Sequence, residues 1–207
     1  MKRIKIALLT MIAFSLGAIH APAQRGEVRM IASVASATPL GNFKDVVDKT
    51  SVRGADVNIL YGLNEKFSLG LNIGFQDFYQ KFPRGLYKLS DGSDISAVIT
   101  NSVQTIPLLA TARYNFMPEG RVQPYATAGA GAAFVTNKQY LGEYPNENNK
   151  FSFAAKPGIG VYIPFRKQGQ VGLNLGVNYH YIAYKEAGIS NLSYLGFTAG
   201  IGFPMRN

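Results

Sequence analysis

From residue 171 to 183 the side chains alternate without a break. The odd positions are Val171, Leu173, Leu175, Val177, Tyr179, Tyr181 and Ala183, and the even ones are Gly172, Asn174, Gly176, Asn178, His180 and Ile182. Successive side chains of an extended chain point to opposite faces, so this period of two predicts a strand with one apolar face and one small or polar face. Residues 67–76 repeat it, with Phe67, Leu69, Leu71, Ile73 and Phe75 against Ser68, Gly70, Asn72, Gly74 and Gln76. Six further segments alternate in the same way, at 28–34, 54–62, 106–116, 122–134, 151–165 and 193–203. Most of the eight reach the roughly 9 to 11 residues that a tilted strand needs to cross a bilayer.

Connection lengths alternate as well. Residues 63–66, 117–120 and 166–169 make short turns, whereas 37–51, 77–99, 136–150 and 185–191 make longer polar loops. An even number of strands with turns at one end and loops at the other is the pattern of an outer-membrane barrel. A soluble barrel also alternates, but it turns its charged residues to water. Here charged residues are 16% of the chain, against about 25% in an average soluble domain, and 22 residues are glycine. Aromatic residues gather near the expected strand ends, as the interfacial girdles of a membrane barrel do: Tyr61, Phe67, Tyr114, Phe116, Phe165 and Phe203 on the turn side, and Phe75, Phe134, Phe151, Phe153 and Tyr181 toward the loops.

The N-terminus reads as an export signal over residues 1–23, leaving a barrel domain at 24–207. Lys2, Arg3 and Lys5 form a basic start, residues 6–16 are mostly apolar, and Ala21-Pro22-Ala23 offers a cleavage site before Gln24. Removing the signal takes three of the 21 basic residues and no acidic one, so 18 against 12 leaves a net charge of +6. Each long loop balances its basic and acidic residues, so the excess forms no clustered basic face and nucleic-acid binding is set aside. Cysteine is absent, which excludes disulfides, thiolate metal sites and a cysteine nucleophile.

The Ile106-Pro107-Leu108-Leu109 strand start leading to Arg113-Tyr114, the Gln123-Pro124-Tyr125-Ala126-Thr127-Ala128-Gly129 strand, and the closing run from Gly196 to Phe203 carry a resemblance. They make the chain similar to the small outer-membrane β-barrel family that includes OmpX-like proteins and the transmembrane domain of OmpA, in the compact form common in Bacteroidetes. The resemblance implies an eight-stranded antiparallel up-and-down transmembrane β-barrel in the outer membrane of a Gram-negative bacterium. It also implies outer-membrane lipid and lipopolysaccharide as surroundings, and the barrel-assembly machinery as a partner. Two departures stand out: Pro204-Met205-Arg206-Asn207 follows the closing Phe203, and the peptidoglycan-binding domain of OmpA is not expected here.

Little in the sequence points to catalysis. Gly129-Ala130-Gly131 lacks the third glycine of a dinucleotide fingerprint and continues the period of two instead of opening a helix. His180 is the one histidine after the signal, and some eight-stranded barrels that deacylate lipid A pair a histidine with a serine two residues later on the same strand. Here that position is Ile182, so His180 is expected to be a lumen residue, with no enzyme activity, metal or cofactor.

The inward parity also carries charge, at Glu27, Arg29, Asp56, Arg113 and Lys156. Ions in a narrow lumen are costly unless paired. Asp56 and Lys156 are therefore expected to bridge across the barrel, with Glu27, Arg29 and Arg113 forming a second cluster near the turn end. Arg53 and Lys150 are candidates to meet lipopolysaccharide phosphates at the loop-side rim. Loops 37–51, 77–99 and 136–150 are expected to face outward, with Tyr79, Phe82, Tyr87, Tyr140 and Tyr144 available for contact with an extracellular ligand. The expected role is structural or surface-interacting, with a lumen plugged by ion pairs. A narrow channel for ions or small apolar solutes is the alternative, and a lipid-modifying enzyme the less favoured third.

Overall fold

All eight alternating segments form strands, and the first six run past their expected limits on the loop side. The computed structural model describes residues 26–88, 94–141, 144–165, 171–185 and 191–205. Its strands are β1 (Val28–Leu40), β2 (Ser51–Gly62), β3 (Phe67–Lys81), β4 (Gly85–Lys88), β5 (Asp94–Ala97), β6 (Ile99–Asn115), β7 (Gln123–Leu141), β8 (Tyr144–Pro164), β9 (Gly172–Ile182) and β10 (Leu192–Met205). Eight of them close into an antiparallel barrel in the order β1-β10-β9-β8-β7-β6-β3-β2, with β1 pairing both β10 and β2. Closure leaves no strand edge unpaired, which is what a sheet needs in a medium without water. Among the described residues no helix is long and apolar enough to cross a membrane.

The two faces separate as the alternation predicts. Val34 is 70% exposed and Phe151 74%, whereas Asn72, Thr105 and Arg113 are buried. Such an apolar exterior fits lipid and would be a liability in water. Within the expected girdles, Tyr114 packs edge-on against Phe116 at 5.3 Å between ring centres near the turn end, and Phe134 meets Phe151 at 4.9 Å toward the loops.

At the turn side, Asn64 closes 63–66 by accepting hydrogen bonds at its side-chain oxygen from the backbone N–H of Lys66 (3.0 Å) and of Phe67 (2.8 Å). The third short turn, most of the fourth loop, and the Ala23–Gln24 cleavage site with the rest of residues 1–23 lie outside the described residues.

The loop side departs from the expected picture. Most of 136–150 is strand, because β7 and β8 pair continuously up to Leu141 and Tyr144. The 77–99 segment extends β3 and then forms the separate β4–β5 hairpin. Of residues 37–51, expected to face outward, 37–40 extend β1, and 41–50 cross the barrel mouth with most side chains exposed but Phe43 and Val47 turned inward. A short 3-10 helix, Gly41–Asp45, carries Phe43 inward, and Phe43 and Val47 are both fully buried. The loop is pinned there by Asn101, whose amide donates to the Val46 carbonyl at 2.9 Å, and by Gln80, whose side-chain oxygen accepts from the Asp48 N–H at 2.5 Å.

Candidate functional site: the barrel lumen

Inward side chains meet in the lumen at three levels. In the middle, Lys156 on β8 donates through Nζ to Asp56 Oδ2 on β2. These strands lie four places apart in the ring of eight, so the ion pair spans the bore. Two asparagines bond to it. Asp56 Oδ1 accepts from the amides of Asn58 (2.7 Å) and Asn72 (3.0 Å), and Lys156 Nζ also donates to Asn72 Oδ1 at 3.2 Å. Added hydrogen bonds of this kind are what a buried pair needs to offset its desolvation.

Nearer the turns, two guanidinium groups stack on two tyrosines. Arg113 Cζ sits 3.7 Å from the centre of the Tyr125 ring and 5.7 Å from that of Tyr162, and Arg29 Cζ lies 4.9 Å from the Tyr162 ring centre. The rings reach this position because glycines face them. A Cβ on Gly160 would stand 2.4 Å from Tyr125 Cζ, and one on Gly172 would stand 2.7 Å from Tyr162 Cζ. A strand glycine at these points marks a close approach.

Toward the loops the lumen becomes apolar. Phe43 packs edge-on against Phe78 at 4.9 Å, Phe78 against Tyr194 at 5.1 Å, and Tyr194 stacks on His180 at 4.3 Å. The Tyr194 hydroxyl lies 3.3 Å from Thr105 Oγ1, on the strand opposite its own. Between these levels lie small cavities: about 30 Å³ around Arg113, Thr111 and the Asp56–Lys156 pair, about 30 Å³ near Glu27 and Arg29, and about 20 Å³ beside His180. A water needs about 10 to 15 Å³, so each holds a few waters at most.

The structure therefore brings Asp56 and Lys156 together. It also puts Glu27, Arg29 and Arg113 around one cavity, where Glu27 Oε1 and Arg29 Nη2 are 3.6 Å apart. Arg113 reaches neither acid. Its partners are Asn115 Oδ1 at 2.9 Å, Asn174 Oδ1 at 3.4 Å and the tyrosine rings. His180 is buried, and the inward neighbour Ile182 belongs to the apolar cluster. Among the described residues no three His, Asp or Glu side chains gather where a metal ion could sit.

The two rim candidates stand on opposite walls, Arg53 on β2 and Lys150 on β8. Arg53 lies 3.5 Å from the Asp77 carboxylate, and Lys150 donates to the Lys185 carbonyl at 3.4 Å. Tyr79 and Tyr140 are exposed on strand extensions and Phe82 is partly buried, while the Tyr87 and Tyr144 side chains lie outside the described set.

Sequence reasoning passed over Asn58, Asn72, Tyr125 and Tyr162 as site residues, although their inward parity was visible. It also missed the burial of Phe43 and Val47 in the apolar cluster at the barrel mouth. Phe43, Val46 and Val47 stand at helical spacing inside a stretch read as a loop, and that spacing was the available signal.

A closed eight-stranded barrel with a lipid-compatible outer wall defines an integral outer-membrane protein of a Gram-negative bacterium. The chain belongs to the family described as the outer membrane protein beta-barrel domain, whose model matches residues 6–203. Among solved structures it is similar to Neisserial surface protein A, with 18% identity and a TM-score of 0.53 over 86% of this chain and 95% of that one. It is also similar to Ail, the attachment invasion locus protein of Yersinia pestis, with 15% identity and a TM-score of 0.52 over 87% of this chain and 99% of that one. At these identities the likeness is one of fold. No curated protein matches the chain.

Proposed function

We propose that this barrel is a non-enzymatic structural and surface-interaction protein, with a lumen closed to bulk ion flow and contacts made at the loop-side face. The observation that carries the reading is the Asp56–Lys156 pair, hydrogen-bonded by Asn58 and Asn72 and reaching across the bore. The apolar cluster of Phe43, Phe78 and Tyr194 supports it with a second obstruction at the mouth. Closing the bore in this way leaves the loop-side surface as the face available to partners, where Tyr79 and Tyr140 are exposed. Arg53 and Lys150 would meet lipopolysaccharide phosphates from opposite sides, each bringing a cation near the rim. Export would proceed by cleavage between Ala23 and Gln24, and insertion by the barrel-assembly machinery.

Planar-bilayer recording of the purified barrel tests closure. The expected trace has no steady unitary conductance; a large, stable open level in the unmodified protein overturns it in favour of a channel. Deleting residues 82–97 and measuring binding to host cells or matrix tests surface contact, with loss of binding by an otherwise folded barrel as the expected outcome.

A further inference from the structure

Three ionised side chains surround the central cavity, and only two of them neutralise each other. Asp56 is held by Lys156, Asn58 and Asn72, whereas Arg113 takes part in none of the ion pairs among the described residues. Arg113 is 3% exposed. Its Nε and Nη1 donate to Asn115 and Asn174, and its Nη2 has no hydrogen-bond partner. Thr111, two residues earlier on the same inward face, is also buried, and its hydroxyl has no partner either. Both side chains line the same cavity of about 30 Å³, together with Lys156, Thr127, Asn178 and Thr198.

A guanidinium does not shed its proton in a protein, so the charge on Arg113 persists. Burying an ion without a counter-charge costs more than one cation–π contact with Tyr125 returns. The local sum of Arg113, Lys156 and Asp56 is one positive charge, and two donors at the cavity are unused. We infer that this cavity is a binding site for a small monovalent anion of halide size, held by Arg113 Nη2 and the Thr111 hydroxyl, with Lys156 adding to the field. The volume, room for about two or three waters, suits a monatomic ion. The turn-side cavity shares Arg113 and Leu60 with this one. The bound ion makes the lumen electrically neutral at its centre, a role that goes beyond closure of the bore.

The test uses the full barrel refolded in detergent micelles. Chloride-35 line broadening is titrated with sodium chloride and competed with bromide, and crystals grown in sodium bromide are examined by anomalous diffraction. Saturable broadening is expected in the unmodified protein. Thr111→Val, which removes only an unpartnered hydroxyl, is expected to bind roughly three- to tenfold more weakly, and Arg113→Gln to lose saturable binding. An anomalous peak within contact of Arg113 Nη2 supports the site. Absence of saturable broadening, broadening unchanged in both variants, or a cavity holding water without anomalous signal overturns it. If Arg113→Gln does not fold, Thr111→Val and the bromide diffraction decide the matter. Conductance tests closure separately, since a static ion site is compatible with either outcome there.

Discussion

Lys156 Nζ and Asp56 Oδ2 meet from opposite walls of the barrel, one on β8 and the other on β2, four strands away in either direction. The contact braces the lumen at its middle, and both ends of the brace are anchored by Asn72, which donates to Asp56 and accepts from Lys156. Removing one partner leaves the other charge buried with half its environment gone. Lys156→Met and Asp56→Asn should each destabilise the barrel by about 3 to 5 kcal/mol, and the double substitution should recover a large part of that loss. Urea unfolding in lipid vesicles, followed by far-ultraviolet circular dichroism because the chain has no Trp, measures this. Equal and additive losses in the double variant would show that the two side chains are not coupled.

Phe43 is fully buried although it lies on a short 3-10 helix between two strands, so Phe43→Ala should cost about 3 to 5 kcal/mol, as truncation of a core aromatic does. The same change should release Lys44 and Lys49 to trypsin added to intact proteoliposomes. Tyr79→Ala, at a side chain 44% exposed, serves as the comparison and should stay within about 0.5 kcal/mol of the parent.

A Cβ on Gly160 would meet Tyr125 Cζ and Oη and also the Leu175 carbonyl oxygen, each at 2.4 Å. Gly160→Ala should therefore lose about 1 to 3 kcal/mol. Adding Tyr125→Ala should relieve only part of the loss, because the backbone carbonyl remains in place. Unfolding midpoints of the two single variants and the double variant check the order.

At the tip of the β7–β8 extension, Glu147 accepts from the Asn149 amide at 3.2 Å and pairs with Lys138 at 3.2 Å. The Asn149 hydrogen bond first, and then Lys138, hold its carboxyl below the usual glutamate range. A depressed value means that the ionised form is favoured in the folded tip. Its contribution is complete above the ordinary glutamate value and fades as pH falls through the lowered one. Protection factors at residues 138 and 147, corrected for the intrinsic pH dependence of exchange, should fall on acidification through that range, and Glu147→Gln should remove that change while leaving the barrel strands protected.

Which side chains face lipid and which face the lumen was legible from one dimension, because side-chain direction in a strand is set by the local backbone alone. Val34, Ile159 and Phe151 point out and Asp56, Arg113 and Lys156 point in, as period two requires. The opposition of Asp56 and Lys156 was also within reach, since strand count and up-and-down order place the second and sixth strands of such a barrel across from each other. Arg113 shows where that reasoning stops. Its inward direction was visible, but its stacking on Tyr125 depends on the stagger between strands β6 and β7, which period two does not encode.

The alternation by itself determined the barrel, its number of strands and the character of each face, because these follow from covalent geometry and from the need to satisfy every backbone group in a membrane. Only the tertiary structure decided which inward groups touch. Tilt and stagger bring Tyr162 between Arg29 and Arg113, leave Arg113 without an acid, and fold residues 41–47 into the mouth, where Phe43 finds Phe78 on a different strand. Contacts of this kind join positions far apart in the chain, and no local pattern specifies them.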